Sequence, residues 1–383
     1  MPQREVIRSL NNPSLMPIKN ASLLLFLSIF TTVVSGQVTA DSTTQREPLI
    51  RKSSWLALPI LFYTPETRLG GGGATLYTFR FRGEPETSNP SQLQLGVAYT
   101  QEQQILSYLP FQLYFQQEKW WLVGELGYYR YIYRFFGIGN NTPQEEEIYQ
   151  ANYPRLRLDV LRQVKPQLYL GLRYWFDNYQ IVERDSAGRL VEQIITGQNG
   201  GVVSGLGLVL NRDSRDRIFF PSRGNLIQFT LFTNQKALGS DFNYSRITVD
   251  ASQYFHFGKE KILAVNGVLD FLFGDPPFQQ LALIGGPKKL RGFFEGRFRD
   301  KKLWILQTEY RMPVYRFIGI VAFAGVGSVA PNVGNFFSQS IHFAGGVGLR
   351  FRVSQKDKIN IRLDLGVNEE GRAFPYLTVG EAF

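Results

Sequence analysis

The first pair of residues that could do chemistry in this chain is Arg291 and Glu309. Arg291 stands in Ile284-Gly285-Gly286-Pro287-Lys288-Lys289-Leu290-Arg291-Gly292-Phe293-Phe294-Glu295-Gly296-Arg297. That stretch is too rich in glycine, proline and charge to be a strand or a helix. Glu309 stands in Leu303 to Pro313, where Trp304, Leu306, Tyr310 and Met312 fall on one face and Gln307, Glu309 and Arg311 on the other. A strand alternates in this way when one side meets an apolar medium and the other a polar one. A guanidinium drawn to that polar side loses water and must be paired, and a carboxylate taking two of its N–H groups is the best partner. The chemistry expected here is an ion pair, with a long loop carrying Arg291 back into an interior that Glu309 lines. Gly292 lets the loop backbone approach the wall closely, and Phe293 can cover it.

A second charged string is Asp213-Ser214-Arg215-Asp216, followed by Phe219-Phe220-Pro221-Ser222-Arg223-Gly224. Two carboxylates around an arginine could serve general acid–base work, but no nucleophile or basic partner accompanies them. A network of Asp213, Arg215 and Asp216 tying a tight turn accounts for them without catalysis. His256 and His342 have no second ligand beside them, and there is no cysteine, so no metal site and no cofactor is expected. Gly70 to Gly73 is not followed by Gly-Lys-Ser/Thr, which excludes a Walker-type phosphate loop. No Ser/His/Asp constellation has supporting strings, and the chain reads as a non-enzyme.

These residues need elements to hold them, and alternation supplies the elements. Strands are expected near 54–63, 69–82, 91–101, 105–117, 119–134, 149–162, 166–181, 200–212, 224–234, 242–256 and 260–273, and after the long loop at 302–314, 315–328, 340–353, 358–367 and 374–383. That makes about sixteen, an even number as bacterial outer-membrane barrels require. Ile359, Ile361, Leu363, Leu365 and Val367 face one way, and Lys358, Asn360, Arg362 and Asp364 the other. Aromatic clusters near segment ends, Trp120-Trp121, Tyr128 to Tyr133 and Trp175-Phe176, fit interfacial girdles.

The N-terminus has a targeting pattern: Lys19 precedes the apolar Ala21 to Phe30, and small polar residues follow to Ala40. The apolar run is too short to span a bilayer as a helix, and no later run supplies one. An exported chain that still crosses a membrane does so as a closed barrel. The organisation expected is a signal peptide and leader over 1–40, a short polar lead-in over 41–52, and an all-β transmembrane barrel over 53–383. The formal net charge is +10, but lysine and arginine are dispersed through alternating segments, which argues against nucleic acid as a partner.

Several strings resemble one family. Gly285-Gly286-Pro287, then Leu290-Arg291-Gly292-Phe293, Gly296 and Glu309-Tyr310-Arg311-Met312-Pro313, resemble the lid-loop signature of the BamA/TamA-like outer-membrane barrels, the bacterial surface antigen superfamily. Phe136 to Thr142 resembles a loop string of its short forms, and Asp213 to Gly224 its mid-barrel turn. The resemblance implies a lid loop folded into the lumen with its Arg-Gly-Phe tip anchored to acidic residues on nearby strands. In the family a second acid lies in a Phe-x-Asp-x-Gly pattern. Here the matching stretch is Phe323-Ala324-Gly325-Val326-Gly327, so the acid is missing, and Asp364 is the candidate substitute. Between the leader and the first strand there is no room for the periplasmic POTRA modules that most members carry. The aromatic Phe383 resembles the signal by which such barrels are assembled.

The function implied is assembly, insertion or translocation at the bacterial outer membrane, surrounded by its lipids and lipopolysaccharide and helped by periplasmic or outer-membrane protein partners. Pro59 and Pro375 each remove a ladder donor where Leu58 to Phe62 would meet Phe374 to Phe383, which favours a weak seam. A weak seam offers edge hydrogen bonds to an incoming strand. The alternative is a non-insertase: a structural subunit of an envelope complex or a gated small-solute pore.

Overall fold

A computed structural model describes residues 53–383 apart from 86, 87, 259, 337 and 355–357. The leader and lead-in lie outside the described residues.

The alternating segments form sixteen antiparallel strands that close into a barrel. In chain order they begin with β1 (Ser53–Thr64), β2 (Arg68–Phe79), β3 (Ser91–Thr100), β4 (Ile105–Phe115), β5 (Trp120–Phe135), β6 (Glu147–Lys165), β7 (Leu168–Arg184) and β8 (Gly200–Asp213). β9 (Gly224–Asn234), β10 (Tyr244–Phe257) and β11 (Lys261–Gly274) lead to the long loop, which carries its own two-stranded ribbon, β12 (Ala282–Ile284) and β13 (Phe298–Asp300). The wall resumes with β14 (Lys302–Tyr315), β15 (Ile318–Ala330), β16 (His342–Ser354), β17 (Ile359–Asn368) and β18 (Ala373–Val379). The architecture expected from alternation is the one observed. Among the described residues no helix is long and apolar enough to cross a membrane, and a barrel crosses with strands.

Burial is inverted relative to a water-soluble sheet. On β17, Leu363, Leu365 and Val367 are exposed on the outer face while Asn360, Arg362 and Asp364 are buried inside. A lipid-facing band outside and a polar lumen inside let the ladders satisfy the backbone wherever neighbouring strands pair, and leave charges to pair with one another. At the end of the barrel where the long loop lies, the lid rim, an apolar cluster fills the lumen. It includes Phe135, Tyr149, Tyr179, Phe278, Ile284, Phe293 and Phe298.

The aromatic clusters divide between the two faces instead of forming a pure girdle. Trp120 is exposed, but Trp121 turns inward against Tyr114 and Tyr169, with ring centroids 5.9 Å and 5.6 Å away. Tyr128 is exposed, whereas Tyr129 stacks on Tyr153 and Tyr133 on Tyr149 in the lumen. Trp175 lies between the guanidiniums of Arg157 and Arg173 at 4.4 Å and 4.5 Å. Consecutive residues of a strand point to opposite faces, so any unbroken aromatic run must split.

The closure also differs from expectation. β1 and β2 pair continuously from Ser53↔Phe79 to Thr64↔Arg68. Between β1 and β18 the described residues pair at one position, Tyr63↔Leu377. Pro59 lies opposite Gly73 on β2, and Pro375 opposite Leu365 on β17, so neither proline sits at that position. The last strand stops at Val379 and not at Phe383. Gly380, at φ 83°, takes the left-handed conformation open to glycine and donates its N–H to the Asn360 carbonyl at 2.9 Å. Residues 381–383 then turn into the lumen, where the Phe383 carbonyl accepts from Arg311 at 2.9 Å. The antiparallel register at Tyr63↔Leu377 runs Phe62 and Leu61 alongside Thr378 and Val379 without further ladder pairs among the described residues, and β1 from Ser53 to Pro59 is exposed on both faces.

Candidate functional site: the lid anchor and the seam

The loop between β11 and β14 turns back on itself because its glycines allow it. Gly285 and Gly286 have φ of 110° and 82°, and Gly285 N–H donates to the Lys289 carbonyl at 2.7 Å. Gly286 N–H donates to Phe293 and Gly296 N–H to Ile284, which closes the loop around Pro287 to Gly292. Leu290 is held at φ 62°, strained for a branched side chain, and is almost fully buried.

The tip lies against β16 and β17. At Gly292, φ 126°, a side chain would run into Ala344 and the Val367 carbonyl; at Gly366 it would strike the Arg291 backbone. Both positions need glycine for the tip to dock. Gly325 has the same logic. A Cβ there would overlap Leu290 and Gln307, so the residue that stands where the family places an acid makes room for the loop instead.

Arg291 is 2% exposed. Its Nη2 donates to Glu309 Oε2 at 2.6 Å and its Nη1 to Asp364 Oδ2, and its guanidinium lies 3.7 Å above the Phe323 ring. Both carboxylates are shared. Arg311 Nε donates to Glu309 at 2.7 Å, and Arg350 Nη1 to Asp364 at 2.6 Å. Arg350 also reaches Glu381 at 2.7 Å, and Arg362 lies 3.5 Å from Asp364 while donating to the Pro287 carbonyl at 3.1 Å. Four arginines thus meet Glu309, Asp364 and Glu381 in a buried space. Each ion would be costly alone, and the shared carboxylates make the cluster a unit.

Neutral groups complete the anchor. Tyr376, fully buried on β18, accepts from Gly292 N–H at 3.1 Å and donates to the Phe293 carbonyl at 3.2 Å. Gln307 accepts from Leu290 N–H and donates to the Lys288 carbonyl at 2.9 Å. Phe293 packs on Phe298, which stacks on His342 at 3.6 Å. At the lid rim, Glu66 in the β1–β2 turn accepts from the Glu295 N–H at 2.7 Å, and burial holds its carboxyl above the usual range.

Arg291, Glu309 and Asp364 come together with Gly285, Gly286, Pro287, Leu290, Gly292, Phe293 and Gly296. Asp213, Arg215 and Asp216 lie elsewhere, in the β8–β9 turn at the opposite rim. There Arg215 grips Asp213 with contacts of 2.9 Å and 2.8 Å, and Asp216 accepts from Ser222 N–H at 2.8 Å. The three form two separate contacts. Tyr376, Gln307, Arg350, Arg362 and Glu381 have no motif to announce them. Their parity put some on the polar face, but which strand they face depends on register.

A sequence profile described as the Omp85 superfamily domain matches residues 86–372. Among solved structures, BamA from Haemophilus ducreyi lacking POTRA domains 1-3 superposes with a TM-score of 0.57 at 17% identity, covering 86% of this chain and 70% of that one. CdiB from Acinetobacter baumannii gives 0.53 at 11% identity over 85% of this chain and 59% of that one. CdiB from Escherichia coli gives 0.55 at 8% over 85% and 62%, so the chain spans about three-fifths of either CdiB. At these identities the likeness is one of fold. No curated protein sequence matches the chain.

Proposed function

Because the chain belongs to the Omp85 superfamily of outer-membrane barrels, we propose that it assists the insertion or translocation of other envelope proteins at the seam between β1 and β18. The observation that carries this reading is the single paired position Tyr63↔Leu377. Unpaired N–H and C=O groups on β1 are costly in lipid and are a template for an incoming strand. A client strand that pairs with β1 satisfies them, and release returns the edge to its start. No bond chemistry is involved, and protein partners on the periplasmic side would present the client.

The experiment joins the seam. Tyr63→Cys with Leu377→Cys, oxidised in the outer membrane, should arrest assembly of other barrels, and reduction should restore it. Normal assembly with the seam covalently closed would overturn the proposal. The lid packed across the lumen favours a second reading, a corked structural subunit or gated pore. Planar-bilayer conductance separates these: a barrel that conducts only after residues 285–297 are removed is a corked pore.

A further inference from the structure

At the rim where β1 begins and β18 ends, the outward rows of several strands end in cations. On β6, Arg162 shares the lipid-facing row with Val160 and Val164, and on β8 the exposed Leu206, Leu208 and Leu210 run into Arg212. On β11, Lys261 begins the outward row that contains Leu269. Arg217 and Arg223 in the β8–β9 turn and Arg316 in the β14–β15 turn are exposed at the same rim. These strands are neighbours from β6 to β15, so the six cations form one arc. Exposed aromatics interleave with them. Arg162 lies 5.6 Å from the Trp120 ring, Arg316 lies 5.4 Å from that of Tyr315, and Lys261 faces Phe257 across the ladder.

The acids of this rim, the partly exposed Asp216 and Glu260 among them, make their hydrogen bonds to groups other than the side chains of the arc. Asp213 holds Arg215, Asp216 caps Ser222, and Glu260 takes Arg352 and Lys358. Among the described residues no ion pair engages the six cations of the arc. At the lid rim the exposed charges are mixed in sign, with Glu145, Glu146, Glu183 and Glu192 beside Arg68, Lys236 and Arg372.

We propose that this arc binds the phosphates of anionic glycerophospholipids in the leaflet at the terminal rim. A cation that ends a lipid-facing row buries its stem along apolar surface and carries its charge to headgroup level. Phosphate is the anion found there, and an arginine fork can grip two of its oxygens. A merely solvated basic face would not place its charges in register with lipid-facing leucines and ring them with exposed aromatics. Nothing in this depends on what the seam does.

The full chain reconstituted in bilayers of brominated phosphatidylglycerol or brominated phosphatidylcholine tests it through tryptophan quenching, with Trp120 reporting beside Arg162. Phosphatidylglycerol should be preferred about fivefold per site. The preference should fall towards unity at about 1 M salt, where screening acts within about 3 Å. It should also collapse in the combined variant Arg162→Gln, Arg212→Gln, Lys261→Gln and Arg316→Gln. If that variant loses heat-modifiable mobility, Arg162→Gln alone should still reduce quenching of Trp120 by phosphatidylglycerol and leave quenching by phosphatidylcholine unchanged. Equal quenching by both lipids in the unaltered chain overturns the proposal, as does a preference that survives the substitutions. Equal quenching combined with loss of a co-purifying acidic protein in the variant makes the arc a protein-docking face, which also overturns it.

Discussion

Where β5, β6 and β7 meet, strands of 16, 19 and 17 residues pair along most of their length, and tyrosines fill the lumen beside them. Where β18 meets β1, a strand of 7 residues pairs with its neighbour at Tyr63. The first wall is held by its ladders. The second lacks ladder across the seam and leans on the lid: Arg291 binds Asp364 on β17 and Glu309 on β14, and Tyr376 of β18 grips the loop backbone. The difference teaches that the anchor's charges can stabilise one side of the barrel without the wall's own hydrogen bonds, so the two walls should answer differently to mutation.

The strongest break is Arg291→Ala. It removes one charged donor from each of Glu309 and Asp364 in a buried site, although Arg311, Arg350 and Arg362 still balance the acids, and should cost about 3–5 kcal/mol. Heat-modifiable gel mobility should show a lower midpoint, and protease should reach the lid loop; an unchanged lid would refute the comparison. Asp177→Asn on the opposite wall removes a carboxylate that binds Arg155 and Arg157. It should cost about 2 kcal/mol in the same assay and loosen the loop base at Gln280, which donates to Asp177 at 3.2 Å, but leave protection of the tip over 285–297 and the rate of Tyr63→Cys/Leu377→Cys cross-linking as they were. Tyr376→Phe deletes two hydrogen bonds to the loop and should cost about 1–2 kcal/mol while speeding that cross-linking.

The smallest effect is pH-dependent. Burial raises the Glu66 carboxyl above its ordinary 4.5, so its contribution is fully present below that value and is lost as pH rises through the raised one. Glu66→Gln keeps an acceptor for the Glu295 N–H and should flatten the loss of lid protection on going from mildly acidic to alkaline pH. A wild-type lid whose protection does not change over that range would remove Glu66 from the account.

Much of the wall was legible in the sequence because a period of two survives wherever one side of a strand is lipid and the other polar. Leu363, Leu365 and Val367 against Arg362 and Asp364 are enough to assign both faces. The same parity assigns Glu309 to the lumen. It cannot say that Asp364 lies across from the loop tip, or that Arg350 bridges Asp364 to Glu381, because those meetings depend on shear between strands and on the path of a loop. Nor does parity mark where a ladder ends. Phe374 to Phe383 reads as one aromatic strand, yet Gly380 alone diverts it. The vacant acid at Gly325 was visible, but that Leu290 needs the space was not, since volume is shared between residues distant in the chain.

Unequal walls have a consequence for the surrounding lipid. Seven residues of β18 extend about 23 Å at 3.3 Å per residue, and less once tilted, against a hydrocarbon core of about 30 Å. The 19 residues of β6 reach well past that thickness. A bilayer of uniform depth cannot suit both flanks, so the cylinder must tilt or the lipid must compress on one side. Acyl-chain length then acts on β1 and β18 first: long chains load the join at Tyr63, and short chains relieve it.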